Sequence, residues 1–400
     1  MKINTKSLTN ILTLRYDPLE KPLTPLATWD DFDNDLIDDE GKKTEELLSN
    51  SVFKNISDEK SISISLSSGI DSTICLGLVR KIFPEKKITG ICGVFGEGFD
   101  ESVIASEIAN QFDADFFTVN MDSVFTQLPE LISITKKPKW NTYIHLISKR
   151  AKHFSNNLVT GDGADELFGG YTFRYNKFLS ITKNDDDWLT KTKNYLNCHD
   201  RDWVPDQNDM FGTNVSFDWN NIYEFFKPYF QNKLEPLKQV MLADFNGKLL
   251  FDFIPMGKAI SSYYQIKNIP IFLDPKVISF AQKISTDQKY DKSTKKGKLL
   301  LRKISKKLGI NHIEQKKGFS PSLLTDWKNH GRDISKQFLE SPNAHIYKNN
   351  LIDQDWVRKA FMIVDDTSDL RYLNRLISVL TLEIWYMVEI TKELKSDTKL

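Results

Sequence analysis

Between residues 61 and 160 the hydrophobic period changes repeatedly from two to 3.6 and back, and that alternation restricts the fold more than any other feature. "SISISL" (61–66) alternates as a strand does. "TICLGLVRKIF" (73–83) then sets Ile74, Leu78, Val79, Ile82 and Phe83 on one side of a helix. "KITGICGVF" (87–95), "ESVIASEIANQF" (101–112), "DFFTVN" (115–120), helical segments around 122–134 and 142–154, and "NLVT" (157–160) continue the series. Strands separated by helices pair in parallel through right-handed crossovers. The expected fold class is therefore α/β, a doubly wound and mostly parallel sheet. Ligands of such sheets bind beyond the carboxyl ends of the strands, which directs attention to the turns after residues 66, 95 and 160.

Three regions are expected around this pattern. Residues 1–55 read as a helical or extended lead-in. There the acidic "WDDFDNDLIDDEGKKTEELL" begins a helix with Leu36, Ile37, Leu47 and Leu48 facing inward. Residues 56–180 form the α/β core. Residues 181–400, with aromatic-rich stretches such as "SFDWNNIYEFFKPYF", read as a mainly helical substrate-side region; the 26 Phe and 13 Tyr of the chain suit its packing.

Charge and cysteine content narrow the classes of partner. Lys plus Arg and Asp plus Glu each total 54, so no net charge draws the protein to nucleic acid or an anionic membrane. The most basic stretch, 285–309, is interrupted by Asp287 and Asp291 and reads as solvated surface. Cys75, Cys92 and Cys198 lie far apart without a C-x-x-C pair, which argues against a disulfide framework or zinc finger. Cys75 and Cys92 read as core thiols. No signal peptide opens the sequence and no apolar run approaches the roughly 18 residues of a membrane span, so a cytoplasmic protein is expected.

Two of the turns carry chemistry. In the first, Ser67, Ser68, Gly69, Asp71, Ser72 and Thr73 lie between a strand end and a helix start, where backbone N–H groups and hydroxyls make an anion seat. The Walker lysine is absent, which excludes a loop that delivers a γ-phosphoryl group. A carboxylate beside phosphate is repulsive unless a metal bridges them, so Asp71 suggests Mg²⁺; for this turn taken alone an ordinary helix cap is the favoured explanation. The second turn, "TGDGADELFGGY" (160–171), places Asp162, Asp165 and Glu166 among four glycines, at a spacing that no EF-hand has. Two such turns at one sheet edge are suited to hold one metal ion between them.

Together, "LSSGIDST" and "TGDGADELFGGY" resemble the synthetase domain of asparagine synthetases, members of the PP-loop ATP pyrophosphatase superfamily. "GFDES" (98–102), "KAISSYYQIKNIPIFLD" (258–274), "KLLLR" (298–302) and "KKGFSP" (316–321) extend the resemblance in the family's order. It implies a PP-loop, Rossmann-like core using ATP and Mg²⁺, in which a carboxylate attacks the α-phosphorus, pyrophosphate leaves, and an amine displaces AMP. Site residues carry over one by one. The pyrophosphate cradle becomes Ser67, Ser68, Gly69, Asp71 and Ser72, and the base and ribose seat Leu66, Thr160 and Gly161, with the third turn near Gly93 and Val94. The metal ligands become Asp71 and Asp165. Lys316 becomes the cation for the α-phosphate, Asp162 the general base at the family's Glu position, and Lys298 a residue facing the substrate.

Departures from the family pattern bear on the substrate. Ser68 replaces a Gly, Asp162 is one methylene shorter than Glu, Tyr264, Ile266 and Asn268 replace Gly, Glu and Arg, and Ile271 is inserted. No glutaminase cysteine follows Met1. Ammonia is expected free or from a separate glutamine amidotransferase subunit, unless another amine is the nucleophile; a homodimer is left open. The alternatives are a related ligase on another substrate (lactam closure, or amidation of a larger metabolite or protein), a tRNA-adenylating enzyme, and a non-catalytic nucleotide-binding module.

Overall fold

The computed structural model describes residues 4–96, 100–199, 204–310 and 322–400. Its centre is a parallel five-stranded sheet: β1 Ser61–Ser65, β2 Lys87–Val94, β3 Asp115–Asn120, β4 Asn157–Thr160 and β5 Lys267–Pro270. The order is β3-β2-β1-β4-β5, so the chain reverses its direction of travel across the sheet between β1 and β4. That reversal puts the carboxyl ends of β1 and β4 side by side, with Ile64 paired to Val159. Here the doubly wound fold opens its ligand crevice.

The β1 side chains Ile62 and Ile64 are fully buried, as a central strand covered on both faces requires. The helix Ile70–Ile82 covers one face and packs on the helices Lys42–Ile56 and Leu299–Lys307, while the helix His145–Ala151 lies against β1 and β2. Ile74, Leu78 and Val79 point inward as their spacing predicts. Cys75 and Cys92 are buried free thiols, and burial pushes the Cys92 thiol up to about 12.

The fifth strand comes from the part of the chain where strand signals fade. "KNIP", in the region expected to be mainly helical, pairs Leu158 with Asn268 and Thr160 with Pro270 at the sheet edge. Proline is tolerated there because an edge strand leaves N–H positions unpaired. Apart from a short antiparallel pair, Tyr290–Asp291 with Lys296–Gly297, the other described residues beyond 171 are mainly helical, as expected. A second core there surrounds the helix Leu370–Trp385, buried on all sides, whose Arg375 donates to Gln207 Oε1 at 3.0 Å and to the Thr13 carbonyl at 3.1 Å. No helix of the described residues is long and apolar enough to cross a membrane.

The lead-in differs from its expectation. Leu36 and Ile37 are 40% and 72% exposed, and the helix begins only at Lys42, with Leu48 buried inside. The cause is Asp38, whose carboxylate accepts the N–H groups of Lys43 and Thr44, both at 2.9 Å, and so caps the helix from outside. Leu36 instead pairs its backbone with Lys283 and Ser285.

Candidate active site at the β1–β4 crevice

β1 ends at Ser65, and buried Leu66 closes the last rung by donating its N–H to the Ile91 carbonyl at 2.9 Å. The turn that follows is tied by hydroxyls. Ser72 Oγ accepts from the Ser67 N–H at 3.0 Å and lies 2.9 Å from Ser67 Oγ, which accepts from the Gly69 N–H at 3.1 Å. Gly69 caps the helix that begins at Ile70. Ser68 stays out of the left-handed region, so a side chain is tolerated where the family pattern has glycine. Its N–H and Oγ both donate to Glu101 Oε2, at 3.1 and 2.9 Å. An internal carboxylate thus sits on the backbone donor of the loop. The neighbouring "GFDES" segment was legible as family pattern, but nothing in it revealed this contact; residues 97–99 lie outside the described residues.

β4 delivers the second turn alongside the first. Thr160 Oγ1 donates to Asp162 Oδ2 at 2.8 Å, and Gly161 lies directly against Asp71. Asp162 is open to solvent yet closely surrounded by protein. Loss of hydration pushes its carboxyl above the ordinary range, reinforced by the charge of Asp71 and opposed by the Thr160 and Asn268 side chains. Asp165, in the short helix Ala164–Phe168, turns back toward the first loop. Next to it, buried Glu166 is pushed up to about 7 by burial and by the Asp165 charge, while the Tyr171 hydroxyl donates to its Oε1 at 2.6 Å.

Lys298 joins the two turns. Its Nζ lies 2.5 Å from Asp71 Oδ2 and 2.5 Å from Asp165 Oδ1. The two oxygens are therefore at most about 5 Å apart. An octahedral magnesium ion with bonds of about 2.1 Å holds its ligands roughly 3–4 Å apart, a separation that lies within this limit. Among the described residues no cluster of three or more acids, His or Cys exists to make an all-protein metal cage. Two carboxylates completed by substrate phosphates suit Mg²⁺ better.

The basic stretch 285–309 is thus not uniformly solvated, since Lys298 and Lys289 are 5% and 1% exposed. Burial lowers Lys289 to about 7. Gly93 and Val94 end β2 beside Val119 and Asn120. The Tyr264 hydroxyl lies 2.6 Å from His145 Nδ1, and Ile266 packs in the core. Lys316 lies outside the described residues.

Comparison with known proteins places the chain in one family. The sequence pattern of asparagine synthase matches residues 43–387. Asparagine synthetase [glutamine-hydrolyzing] 1 of Bacillus subtilis is 22% identical over 88% of this chain, which spans 60% of that protein. A Mycobacterium bovis protein named as a candidate glutamine-hydrolyzing asparagine synthetase is 31% identical over 34% of this chain and 21% of its own length. The solved NMN synthetase of Francisella tularensis is 18% identical, with a TM-score of 0.25 over 50% of this chain and 90% of its own, too loose a likeness to bear on function. With the pattern matched from the helix Lys42–Ile56 to the helix Leu370–Trp385, the chain belongs to the asparagine synthase family.

Proposed function

We propose that the protein is an ATP-dependent carbon–nitrogen ligase that adenylates a carboxylate, releases pyrophosphate and transfers the acyl group to ammonia or another amine. One observation carries this reading: the hydroxyl-lined turn after β1 and the carboxylate turn after β4 meet at Asp71 and Asp165. The donors of Ser67, Ser68 and Gly69 would hold the pyrophosphate end, with Leu66, Thr160 and Gly161 beside the base and ribose. Asp71 and Asp165 would hold magnesium, which when bound neutralises charge on the departing pyrophosphate. Lys316 would stabilise charge at the α-phosphate, and Asp162 would accept the proton of the attacking amine. Its raised carboxyl suits that task, since a stronger base than an ordinary carboxylate is wanted near neutral pH.

A carboxylate other than aspartate is the second reading, favoured by the segment leading into β5. Where the family pattern has Glu and Arg, this chain has buried Ile266 and the uncharged Asn268. No ionic pair stands there to orient an amino-acid substrate. Ammonia would arrive free or from a separate amidotransferase subunit.

Exchange of labelled pyrophosphate into ATP, run with Mg²⁺ across a panel of carboxylic acids, tests both readings. Exchange that depends on one acid and disappears in Asp71→Asn and Lys316→Ala is expected. Aspartate as that acid would defeat the second reading. Exchange that persists in both variants would sink the assigned roles.

A further inference from the structure

Lys298 breaks three local rules at once. Its backbone is left-handed, φ 56° and ψ 37°, a conformation that a residue with a side chain rarely adopts. It occupies the N-cap of the helix Leu299–Lys307, a position where short polar side chains are preferred and the helix dipole repels a cation. It is also a lysine with only 5% exposure. Local rules broken together mark a place where function outranks propensity.

What this conformation achieves is specific. It sends the ammonium to the point where the Asp71 and Asp165 carboxylates converge from separate turns. Room for it is made by Gly170, where a Cβ would fall 1.8 Å from Asp165 Oδ1 and 2.5 Å from Lys298 Cε. The adjacent loop shows the same arrangement with the opposite sign, Glu101 lying on the Ser68 donors. The chain thus supplies its own cation to the carboxylate pair and its own anion to the loop.

We propose that Lys298 is a resident counter-cation, which holds the Asp71 and Asp165 turns together in the nucleotide-free protein and yields both carboxylates when magnesium arrives with the nucleotide. This rests on the adenylating reading above. Two carboxylates facing each other across a crevice repel, and without a cation the turns would spread. A divalent ion alone must evict the ammonium from two charge-assisted contacts and leave it without an anion nearby. A divalent ion bound to nucleotide brings phosphate oxygens to which the ammonium can turn on its flexible four-carbon stem. Metal affinity is then coupled to nucleotide, and Lys298 is the positioning residue that couples them.

Binding of Mn²⁺, followed by electron paramagnetic resonance with and without a non-hydrolysable ATP analogue, tests this on the intact chain. Wild-type protein should bind Mn²⁺ weakly alone and much more tightly with the analogue. Lys298→Met should bind Mn²⁺ alone about tenfold more tightly, and the gain from the analogue should shrink by a similar factor, within the roughly 5–150-fold span usual for coupled sites. If Lys298→Met does not fold, Lys298→Gln, which keeps a donor between the carboxylates and removes the charge, gives the same readout. Nucleotide-free Mn²⁺ affinity that is unchanged or weaker in the folded variant overturns the proposal while leaving the ligase reading intact. Wild-type protein that binds neither Mn²⁺ nor the analogue overturns both.

Discussion

Gly161 lies so close to Asp71 that a Cβ built on it would stand 2.8 Å from the Asp71 Cβ and 3.3 Å from the Ser72 nitrogen. The backbone at Gly161 is outside the left-handed region, so alanine is acceptable there in every respect but this contact. Gly161→Ala must push the two turns apart. Overpacking of this kind costs about 1–3 kcal/mol of stability. Pyrophosphate exchange should fall much further, by about 100-fold, because misplacement of reacting groups by about 1 Å has that effect. Urea denaturation read beside the exchange rate checks both numbers, and full exchange in a folded variant would show that the turns need not touch to work.

Glu166 ties the same turn to pH. Its carboxyl is pushed from 4.5 up to about 7 by burial first and by Asp165 second. Between those values the folded protein binds more protons than the unfolded chain, so stability falls as pH rises through the window and is greatest below it. Glu166→Gln preserves the shape and removes the titration. Denaturation midpoints measured from pH 5 to 8 should therefore fall for the wild-type protein relative to the variant. Parallel curves would mean that Glu166 ionises as an exposed glutamate does.

How much of this could be read from the sequence depended on distance along the chain. "DFFTVN" and "NLVT" coincide with β3 and β4 because a strand's period is written in adjacent residues. Both turns were legible for the same reason, being local runs of small and acidic residues at strand ends. The pairing of Lys298 with Asp71 spans 227 positions, and the capture of Ser68 by Glu101 spans 33. No local pattern encodes a partner so far away. The resemblance marked Lys298 as a residue facing the substrate, but only the fold shows it buried between two acids. β5 failed for a different reason, since four residues ending in proline carry too little period to distinguish a strand from a loop.

Behind the site, Arg174 and Asp244 form a buried ion pair, with the Tyr195 hydroxyl donating to Asp244 Oδ1 at 2.8 Å. The same guanidinium lies 4.1 Å over the Tyr171 ring, which in turn holds Glu166. Arg174→Met leaves a buried carboxylate without its cation, at a cost of about 3–5 kcal/mol. Adding Asp244→Asn should restore part of that loss, because the stranded charge is then gone. A double-mutant cycle by urea denaturation measures the coupling, and additive losses would show that the two side chains are energetically independent.

Asp162 is the residue on which the two chemical steps should separate. Thr160 donates to one carboxylate oxygen at 2.8 Å, while the residue remains exposed to solvent. A base that serves only the attacking amine has no part in adenylation. In Asp162→Asn, pyrophosphate exchange should accordingly stay within about threefold, while amide formation falls by about 10²–10⁴, the usual contribution of a positioned base. The sign of the pH effect follows from the raised carboxyl: the base works only when ionised, so wild-type amide formation should decline as pH falls through that raised value. The exchange step should lack this acidic limb, and so should the residual amide formation of the variant. Single-turnover measurements of each step from pH 5 to 9 check the separation; equal losses in both steps would move Asp162 from proton transfer to holding the nucleotide.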